Sequence, residues 1–227
     1  MTQGIGHGPS TVVLVSGGGT NLQAIIDRVS SGELGITLTA VISDVADAFG
    51  LERARRAGIP AIAIDYRSFP DRAAAETELA RQLGELAPEI IVLAGFMRIL
   101  PADLVSGYAG RMLNVHPSLL PRHRGLNTYT RVLKAGDDWH GSTVHFVVPE
   151  LDAGPSIIQY RVQVSPADDV PSLQQRVQQG EYEIYPRAID WLATGRLQLR
   201  SGEAWLDGQP LAEPERVLET GDASGPG

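Results

Sequence analysis

Short apolar runs rich in β-branched residues alternate with segments of helical spacing along the first half of the chain. Such runs are typical of strands buried on both faces, which occur in parallel sheets covered by helices. The alternation therefore predicts an α/β fold, with a mostly parallel twisted sheet and helices on both faces. The predicted strands are Thr11–Ser16, Ile36–Ser43, Ala61–Ile64, Pro88–Ala94 and Arg111–Val115, and the helices between them include Asp47–Ala57 and Asp71–Ala87.

The second half of the chain has a different pattern. His140–Val148 and Ser156–Val164 are strand-like and only a short Gly-Pro segment separates them, which predicts antiparallel neighbours in the C-terminal half. A long helix is predicted at Asp168–Ala193, and the Asp-Gly pair within Glu203–Gln209 indicates a hairpin. We expect a disordered N-terminal extension at residues 1–10, one domain at residues 11–200, and the hairpin with a flexible tail at residues 201–227.

Charge and composition exclude several classes of protein. The chain has 19 Lys and Arg against 27 Asp and Glu, a net charge of −8, and lacks a basic tract, so nucleic acid is not an expected partner. No apolar run approaches the 18 residues of a membrane span. The absence of cysteine excludes thiol catalysis and thiolate metal sites, and it fits a cytoplasmic location.

The first candidate site is the glycine-rich segment Ser16–Asn21, between the first strand and the first helix. Glycines allow close approach to the backbone, and the free N–H groups of a helix N-terminus attract anions. The segment contains no lysine and does not match Gly-x-Gly-x-x-Gly, so it indicates a phosphate monoester rather than a dinucleotide or a nucleoside triphosphate. The alternative is a tight turn that binds nothing.

The second candidate is the pair Asn114 and His116, two residues apart on a predicted strand and therefore on one face. An amide donor beside an imidazole can bind an oxyanion and supply a proton. Asp152 matters only if the fold returns it to His116; otherwise its Asp-Ala-Gly-Pro setting is that of a turn former. Loop backbone could equally satisfy Asn114 and His116.

Two further patterns bear on ligands. The segment Gly95–Pro101 follows a buried strand and could bind a flat heterocycle, although Phe96 and Leu100 could equally pack in the core. His140 and His145 are five residues apart on one predicted strand, which places them on opposite faces and argues against a shared metal ion.

Taken together, five segments resemble the phosphoribosylglycinamide formyltransferases, the folate-dependent enzymes of purine synthesis within the formyltransferase superfamily. The resemblance runs from Val12 to Gln209 and implies a Rossmann-like sheet. The segments are Val13–Asp27, Ala46–Arg55, Val92–Leu100, Leu113–Pro121, and His140–Val147 together with Glu150–Pro155. The Asn-x-His-Pro-Ser-Leu-Leu-Pro motif in the fourth of them is common to the superfamily.

The resemblance implies a role for each matching residue. It implies that 10-formyltetrahydrofolate is the cosubstrate, that glycinamide ribonucleotide is the substrate, and that no metal is needed; it leaves a homodimer open. Asn114, His116 and Asp152 match the catalytic residues, and Gly19, Thr20 and Asn21 match the phosphate loop, with Gly95 and Glu181 at the glycinamide end and the ribose. The implied folate contacts are Arg72, Met97, Arg98, Ile99, Leu100, Asn114, Val148, Glu150 and Asp152.

Two segments depart from the family pattern, and the sequence leaves other functions open. Arg122–Arg124 and Asn127–Tyr129 differ from the usual family pattern, which leaves the details of that loop open. Formyltetrahydrofolate deformylase uses a similar Asn, His and Asp, but we expect an N-terminal regulatory domain in it, and ten residues precede the first strand here. Methionyl-tRNA formyltransferase is expected to have an additional C-terminal domain. A non-catalytic nucleotide-binding module is the alternative from another class.

Overall fold

A nine-stranded sheet runs through the middle of the protein. The computed structural model describes residues 4–219. The strands of this sheet are β1 (Ile5–Gly6), β2 (Ser10–Val15), β3 (Thr37–Ser43), β4 (Ala61–Ala63), β5 (Ile90–Leu93), β6 (Met112–His116), β7 (Trp139–Phe146), β8 (Ser156–Gln163) and β12 (Glu215–Leu218). A separate three-stranded sheet contains β9 (Leu197–Arg200), β10 (Glu203–Leu206) and β11 (Gln209–Pro210).

The strand order of the large sheet is β1-β3-β2-β5-β6-β7-β8-β12, and β4 also pairs with β3. The pairs β2–β3, β3–β4, β2–β5 and β5–β6 are parallel. The chain direction then reverses, because β7 runs antiparallel to both β6 and β8. This confirms the predicted α/β fold, with parallel strands in the first half and antiparallel strands in the second.

Helices cover both faces of the sheet, as predicted. Alternate residues of β2 point to opposite faces, so Val13 and Val15 pack in one hydrophobic cluster and Val12 and Leu14 in the other. The first cluster lies under α1, α2 and α6, and the second under α3 and α4. The helices are α1 (Thr20–Ser30), α2 (Phe49–Arg56), α3 (Arg72–Leu86), α4 (Ala102–Gly107), α5 (Thr128–Ala135) and α6 (Val170–Ala193).

The predicted disorder of residues 1–10 is wrong for the part that the structure describes. Ile5 and Gly6 form β1, which pairs antiparallel with β3, and Ser10 begins β2. A Cβ on Gly6 would lie 2.0 Å from the backbone oxygen of Ile36, and its φ is +102°. The glycines that suggest a flexible segment are therefore what allow the chain to lie against β3. Residues 1–3 lie outside the described residues.

The predicted flexible tail is also wrong in part. Glu215–Leu218 forms β12, which adds a parallel strand beyond β8. Arg176 of α6 then binds the carboxylate of Glu219 through Nε at 2.9 Å and Nη2 at 2.5 Å. A strand at a sheet edge can form through backbone hydrogen bonds to the neighbouring strand without burying its own side chains. The polar sequence of β12 therefore gives no indication that it forms a strand. The predicted hairpin is confirmed as β10–β11, and residues 220–227 lie outside the described residues.

The boundary that we expect at residue 200 falls between β9 and β10, which pair with each other in the small sheet. The division at residue 200 therefore stays a prediction about domain organisation. In the structure, residues on the two sides of it belong to the same small sheet. The Asp207–Gly208 turn of the hairpin has positive φ at both residues, 52° and 80°, as two-residue hairpin turns require.

Gly180 in the middle of α6 yields a stability prediction. A Cβ there would lie 1.9 Å from Cδ1 of the buried Tyr160 ring. We expect Gly180→Ala to destabilise the fold by about 2 kcal/mol through overpacking, although alanine favours a helix by about 1 kcal/mol. Gly84→Ala in α3 is the matched control, because a Cβ there meets nothing within 4 Å, and it should stabilise. Urea unfolding checks both; a stabilised Gly180→Ala variant would contradict the packing.

Candidate active site

A cavity of about 560 Å³ opens where β5 and β6 end, and it brings most of the predicted site residues together. Its walls come from the segment after β5, the end of β6, the start of α5 and the loop between β7 and β8. This is the edge at which open parallel sheets usually bind ligands. The predicted residues that line it are Gly95, Met97, Arg98, Ile99, Leu100, Asn114, His116, Val148 and Asp152.

The amide of Asn114 is oriented by a histidine on the neighbouring strand. Asn114 on β6 is directly opposite His145 on β7, and its Nδ2 lies 3.1 Å from Nε2 of His145. The other ring nitrogen, Nδ1, lies 2.8 Å from the carbonyl oxygen of Phe146 and must donate to it. Nε2 therefore accepts from Asn114, which fixes the amide orientation and leaves its second N–H for a ligand.

Burial keeps His145 in the form that this arrangement needs. Its side chain is 3% exposed, and burial lowers the pKa of the imidazole, against the opposing effects of the Phe146 carbonyl and Asp152. A neutral ring with its proton on Nδ1 is thus the form that accepts from Asn114.

His116 has an oxygen acceptor at each ring nitrogen. Nδ1 lies 3.4 Å from Oδ2 of Asp152, and Nε2 lies 3.1 Å from the carbonyl oxygen of His123. The contact with His123 is a hydrogen bond, and the contact with Asp152 brings a carboxylate within ion-pair distance of the ring. The fold thus returns Asp152 to His116, which is the condition on which a role for that carboxylate depends; the role itself stays a prediction.

Asp152 is held in an unusual conformation by the loop that follows β6. Its φ is +49°, in the left-handed region, and its side chain is 7% exposed. Oδ2 accepts a hydrogen bond of 2.9 Å from the backbone N–H of Gly125. The same loop contains His123, also at positive φ, so the segment supports both His116 and Asp152. Strained residues of this kind cluster at functional sites.

The predicted phosphate loop lies beside this cavity. Ser16 donates its backbone N–H to the carbonyl of Gly95 at 3.1 Å, and its hydroxyl accepts from the N–H of Met97 at 2.8 Å. Gly19 has φ +68° and is the N-cap of α1 without a side-chain cap, and Thr20 is the first residue of that helix. A Cβ on Gly19 would lie 2.8 Å from the Cα of Gly50, so the turn requires glycine.

Glu181 of α6 lies next to the phosphate loop. Its carboxylate accepts a hydrogen bond of 2.7 Å from Nδ2 of Asn21, which connects two of the predicted substrate-binding residues. Burial raises the pKa of Glu181 to about 7, and the Asn21 contact only partly offsets this. Burial therefore favours the protonated carboxyl group relative to that of an exposed glutamate.

Two predicted folate contacts lie at the margin or outside the cavity. Arg72 does not line it, but its Nη2 donates to the carbonyl of Ile99 at 2.7 Å and so supports the wall. Glu150 is exposed and its carboxylate lies 3.7 Å from Arg124. Its assignment to the folate site stays a prediction.

Sequence reasoning missed two residues. The sequence pattern bears on His145 only as a possible metal ligand, whereas in the structure this histidine lies opposite Asn114 and fixes its amide. Arg53 of α2 donates from Nε to the carbonyl of Gly18 at 2.8 Å and brings a guanidinium to the phosphate loop. Within residues 4–219, no group of three or more His, Cys, Asp or Glu side chains is placed to hold a metal ion.

A second depression of about 630 Å³ lies between α1 and α6. Charged side chains such as Arg28, Glu33 and Glu183 line it, and none of the predicted site residues does. The chemistry expected from the sequence is therefore concentrated in the cavity at the ends of β5 and β6.

Comparison with known proteins gives one family. The Formyl transferase family model matches residues 10–189. Phosphoribosylglycinamide formyltransferase of Escherichia coli (strain K12) is 51% identical over 200 residues, which cover 88% of this chain and 94% of that protein.

Solved structures agree in fold. The phosphoribosylglycinamide formyltransferase of Coxiella burnetii, in complex with CHES, has a TM-score of 0.88 and 47% identity, covering 93% of this chain and all of that one. A formyltetrahydrofolate deformylase from Pseudomonas syringae pv. tomato has a TM-score of 0.81 and 28% identity, covering 88% of this chain and 66% of that one.

The raised pKa of Glu181 predicts how stability depends on pH. Because this carboxyl group is protonated more readily in the folded state, its contribution to stability decreases as pH rises from about 4.5 to 7. Relative to wild type, Glu181→Gln should therefore gain up to about 3 kcal/mol between pH 5 and pH 8. Urea unfolding at both pH values measures this. The exposed Glu183→Gln is the control; equal behaviour of the two variants would contradict the prediction.

Proposed function

The chain belongs to the formyl transferase family, and we propose that it transfers a formyl group from 10-formyltetrahydrofolate to the amine of 5-phosphoribosylglycinamide in de novo purine biosynthesis. One observation carries this proposal. The Asn114, His116 and Asp152 side chains meet at one cavity, and Ser16 joins that cavity to a loop suited to a phosphate. The cavity and the loop thus offer one binding region for each of two ligands, and both regions lie beside Asn114, His116 and Asp152.

The ribonucleotide is proposed to bind along the phosphate loop. Its phosphate accepts from the free N–H groups at the start of α1, at Gly19, Thr20 and Asn21, where the helix dipole favours an anion. Glu181, beside Asn21, accepts from the ribose hydroxyls. The glycinamide end then extends along Gly95 toward Asn114, which lines the same cavity.

The folate is proposed to occupy the cavity itself. Its pterin ring lies between the segment Met97–Leu100 and the segment Val148–Asp152, both of which supply apolar side chains and backbone groups. Its outer part extends past Leu100 toward Arg72. This arrangement places the formyl group against Asn114 and His116.

In the proposed reaction, these side chains and one water act on the two substrates. The neutral amine attacks the formyl carbon and forms a C–N bond, and the formyl oxygen becomes an oxyanion. Asn114 donates its remaining N–H to that oxygen, and the imidazolium of His116 stabilises its charge, with the oxyanion replacing the His123 carbonyl at Nε2. The bond to N10 of the folate then breaks, and N10 takes the proton that the amine loses, through a water on Asp152.

The setting of the enzyme is part of the proposal. No helix among residues 4–219 is long and apolar enough to cross a membrane. We place the enzyme in the cytoplasm, with small molecules as its partners. A homodimer is the assembly to examine, by light scattering of the full chain.

A second candidate is formyltetrahydrofolate hydrolysis, which the similarity to the Pseudomonas syringae deformylase favours. The two activities differ in their products. A deformylase releases formate from 10-formyltetrahydrofolate without a second substrate, whereas the proposed transferase forms formylglycinamide ribonucleotide. Incubation with and without glycinamide ribonucleotide, followed by separate assays for formate and the formylated product, distinguishes them. A non-catalytic binding module would give neither product.

We expect Asn114→Asp to lower the rate of formyl transfer by about 10²–10³, because it replaces an oxyanion donor with a charged acceptor of the same shape. Steady-state kinetics with both substrates at saturation measures this. Circular dichroism of the variant shows whether the fold is retained. A folded variant that keeps more than about a tenth of the wild-type rate would exclude this role for Asn114.

Asn21→Asp should weaken glycinamide ribonucleotide binding by about tenfold or more, or about 1.4 kcal/mol. The new carboxylate would face both the substrate phosphate and Glu181. Calorimetry with the ribonucleotide and with 5-formyltetrahydrofolate, measured separately, should show little change for the folate. Ser30→Asp adds the same charge at the exposed C-terminal end of α1 and is the control. Equal losses for the two ligands would contradict the assignment.

A further inference from the structure

A buried carboxylate outside the proposed chemistry contacts the wall of the cavity. Asp44 follows directly after β3, and its side chain is 3% exposed. Its Oδ2 accepts a hydrogen bond of 2.7 Å from Nε of Arg98, which belongs to the segment Met97–Leu100. Asp44 itself does not line the cavity, whereas Arg98 does.

The guanidinium of Arg98 is held on a second side as well. It lies 4.7 Å from the ring centroid of Tyr66, a buried residue in the 3₁₀ helix Tyr66–Ser68, so that Asp44 and Tyr66 both contact the same cation. The backbone N–H of Tyr66 is also 3.3 Å from the carbonyl oxygen of Asp44. Carboxylate and aromatic face together restrict the rotamer of a side chain that is otherwise 39% exposed.

Three successive residues of this wall are held from other parts of the sheet. Met97 is held through its N–H by the hydroxyl of Ser16, and Ile99 through its carbonyl by Arg72. Between them, Arg98 is held through its side chain by Asp44. Of these three contacts, only the one from Asp44 places a charged group in a buried position. A buried charge is costly, so a reason for its presence has to be found.

Stability alone does not account for Asp44. Its other oxygen, Oδ1, is buried without a hydrogen-bond partner among the described residues, and so is the hydroxyl of Tyr66. An unsatisfied buried polar group costs free energy, and a buried ion pair is often no more stabilising than apolar residues of the same volume. Proteins retain unsatisfied buried polar groups and buried ion pairs mainly where function requires a fixed geometry.

We propose that Asp44 is a positioning residue for the folate, acting through Arg98 to fix the Met97–Leu100 wall against which the pterin binds. This rests on the proposed function. The pair fixes the shape of the folate side of the cavity and leaves the phosphate loop and Asn114 untouched. It therefore acts on binding of one substrate and not on the chemical step.

Asp44→Ala should raise the KM for 10-formyltetrahydrofolate about tenfold, while kcat and the KM for glycinamide ribonucleotide stay within about twofold. Asp44→Asn retains an acceptor for Nε and should give a smaller increase. Arg98→Met should raise the same KM by at least as much, because it removes the Asp44 contact together with a side chain that lines the cavity, and the double variant should add little to Arg98→Met. Additive losses would overturn the proposal.

Asp207→Ala is the matched control, because Asp207 also binds the Nε of an arginine, Arg196 at 2.8 Å, in the small sheet away from the cavity. It should leave both KM values unchanged. Calorimetry with 5-formyltetrahydrofolate separates this proposal from the proposed function. If wild type binds this probe and Asp44→Ala binds it about tenfold more weakly, the positioning role holds even without formyl transfer. If Asp44→Ala and Asp44→Asn bind it as wild type does, or if both KM values rise together, Asp44 has no positioning role.

Discussion

The site depends on the reversal of chain direction between β6 and β7. Parallel strands place Asn114 and His116 at the same edge as the phosphate loop, but they cannot orient an amide by themselves. The antiparallel register places His145 opposite Asn114, and the turn after β7 then returns Asp152 to His116 at the same end of the sheet. A shift of one residue in this register would turn His145 to the other face and leave the Asn114 amide free to rotate.

The sequence predicted the parts of the site that depend on local periodicity. Asn114 and His116 share a face because strand side chains alternate, and the Ser16–Asn21 turn was evident from its glycines. The role of His145 was not evident, because it depends on pairing with Asn114, 31 positions away, and on a β6–β7 register that local periodicity does not show. The contact between Asp152 and His116 came from the resemblance and not from spacing.

The errors in the fold have a related cause. β1 and β12 are short edge strands whose own sequences are glycine-rich or polar, and they form because β3 and β8 each offer a free edge. Sequence patterns report how a segment buries its own side chains. They do not report that a neighbouring strand supplies backbone hydrogen bonds, so strands held mainly in that way are read as disordered.

Formyl transfer of the proposed kind forms no covalent intermediate with the protein, so the rate depends on how precisely two bound molecules meet. Positioning of this kind can account for a large part of a rate enhancement, and small displacements are costly. Ser16 joins the Ser16–Asn21 segment to the Met97–Leu100 segment, and Tyr185 of α6 places its hydroxyl 2.9 and 3.0 Å from the carbonyls of Leu93, the last residue of β5, and Leu113, the second residue of β6. Side chains outside the proposed chemistry therefore hold together the strands and segments on which the two proposed binding regions lie, and the proposed reaction at Asn114 requires those regions to stay at a fixed distance.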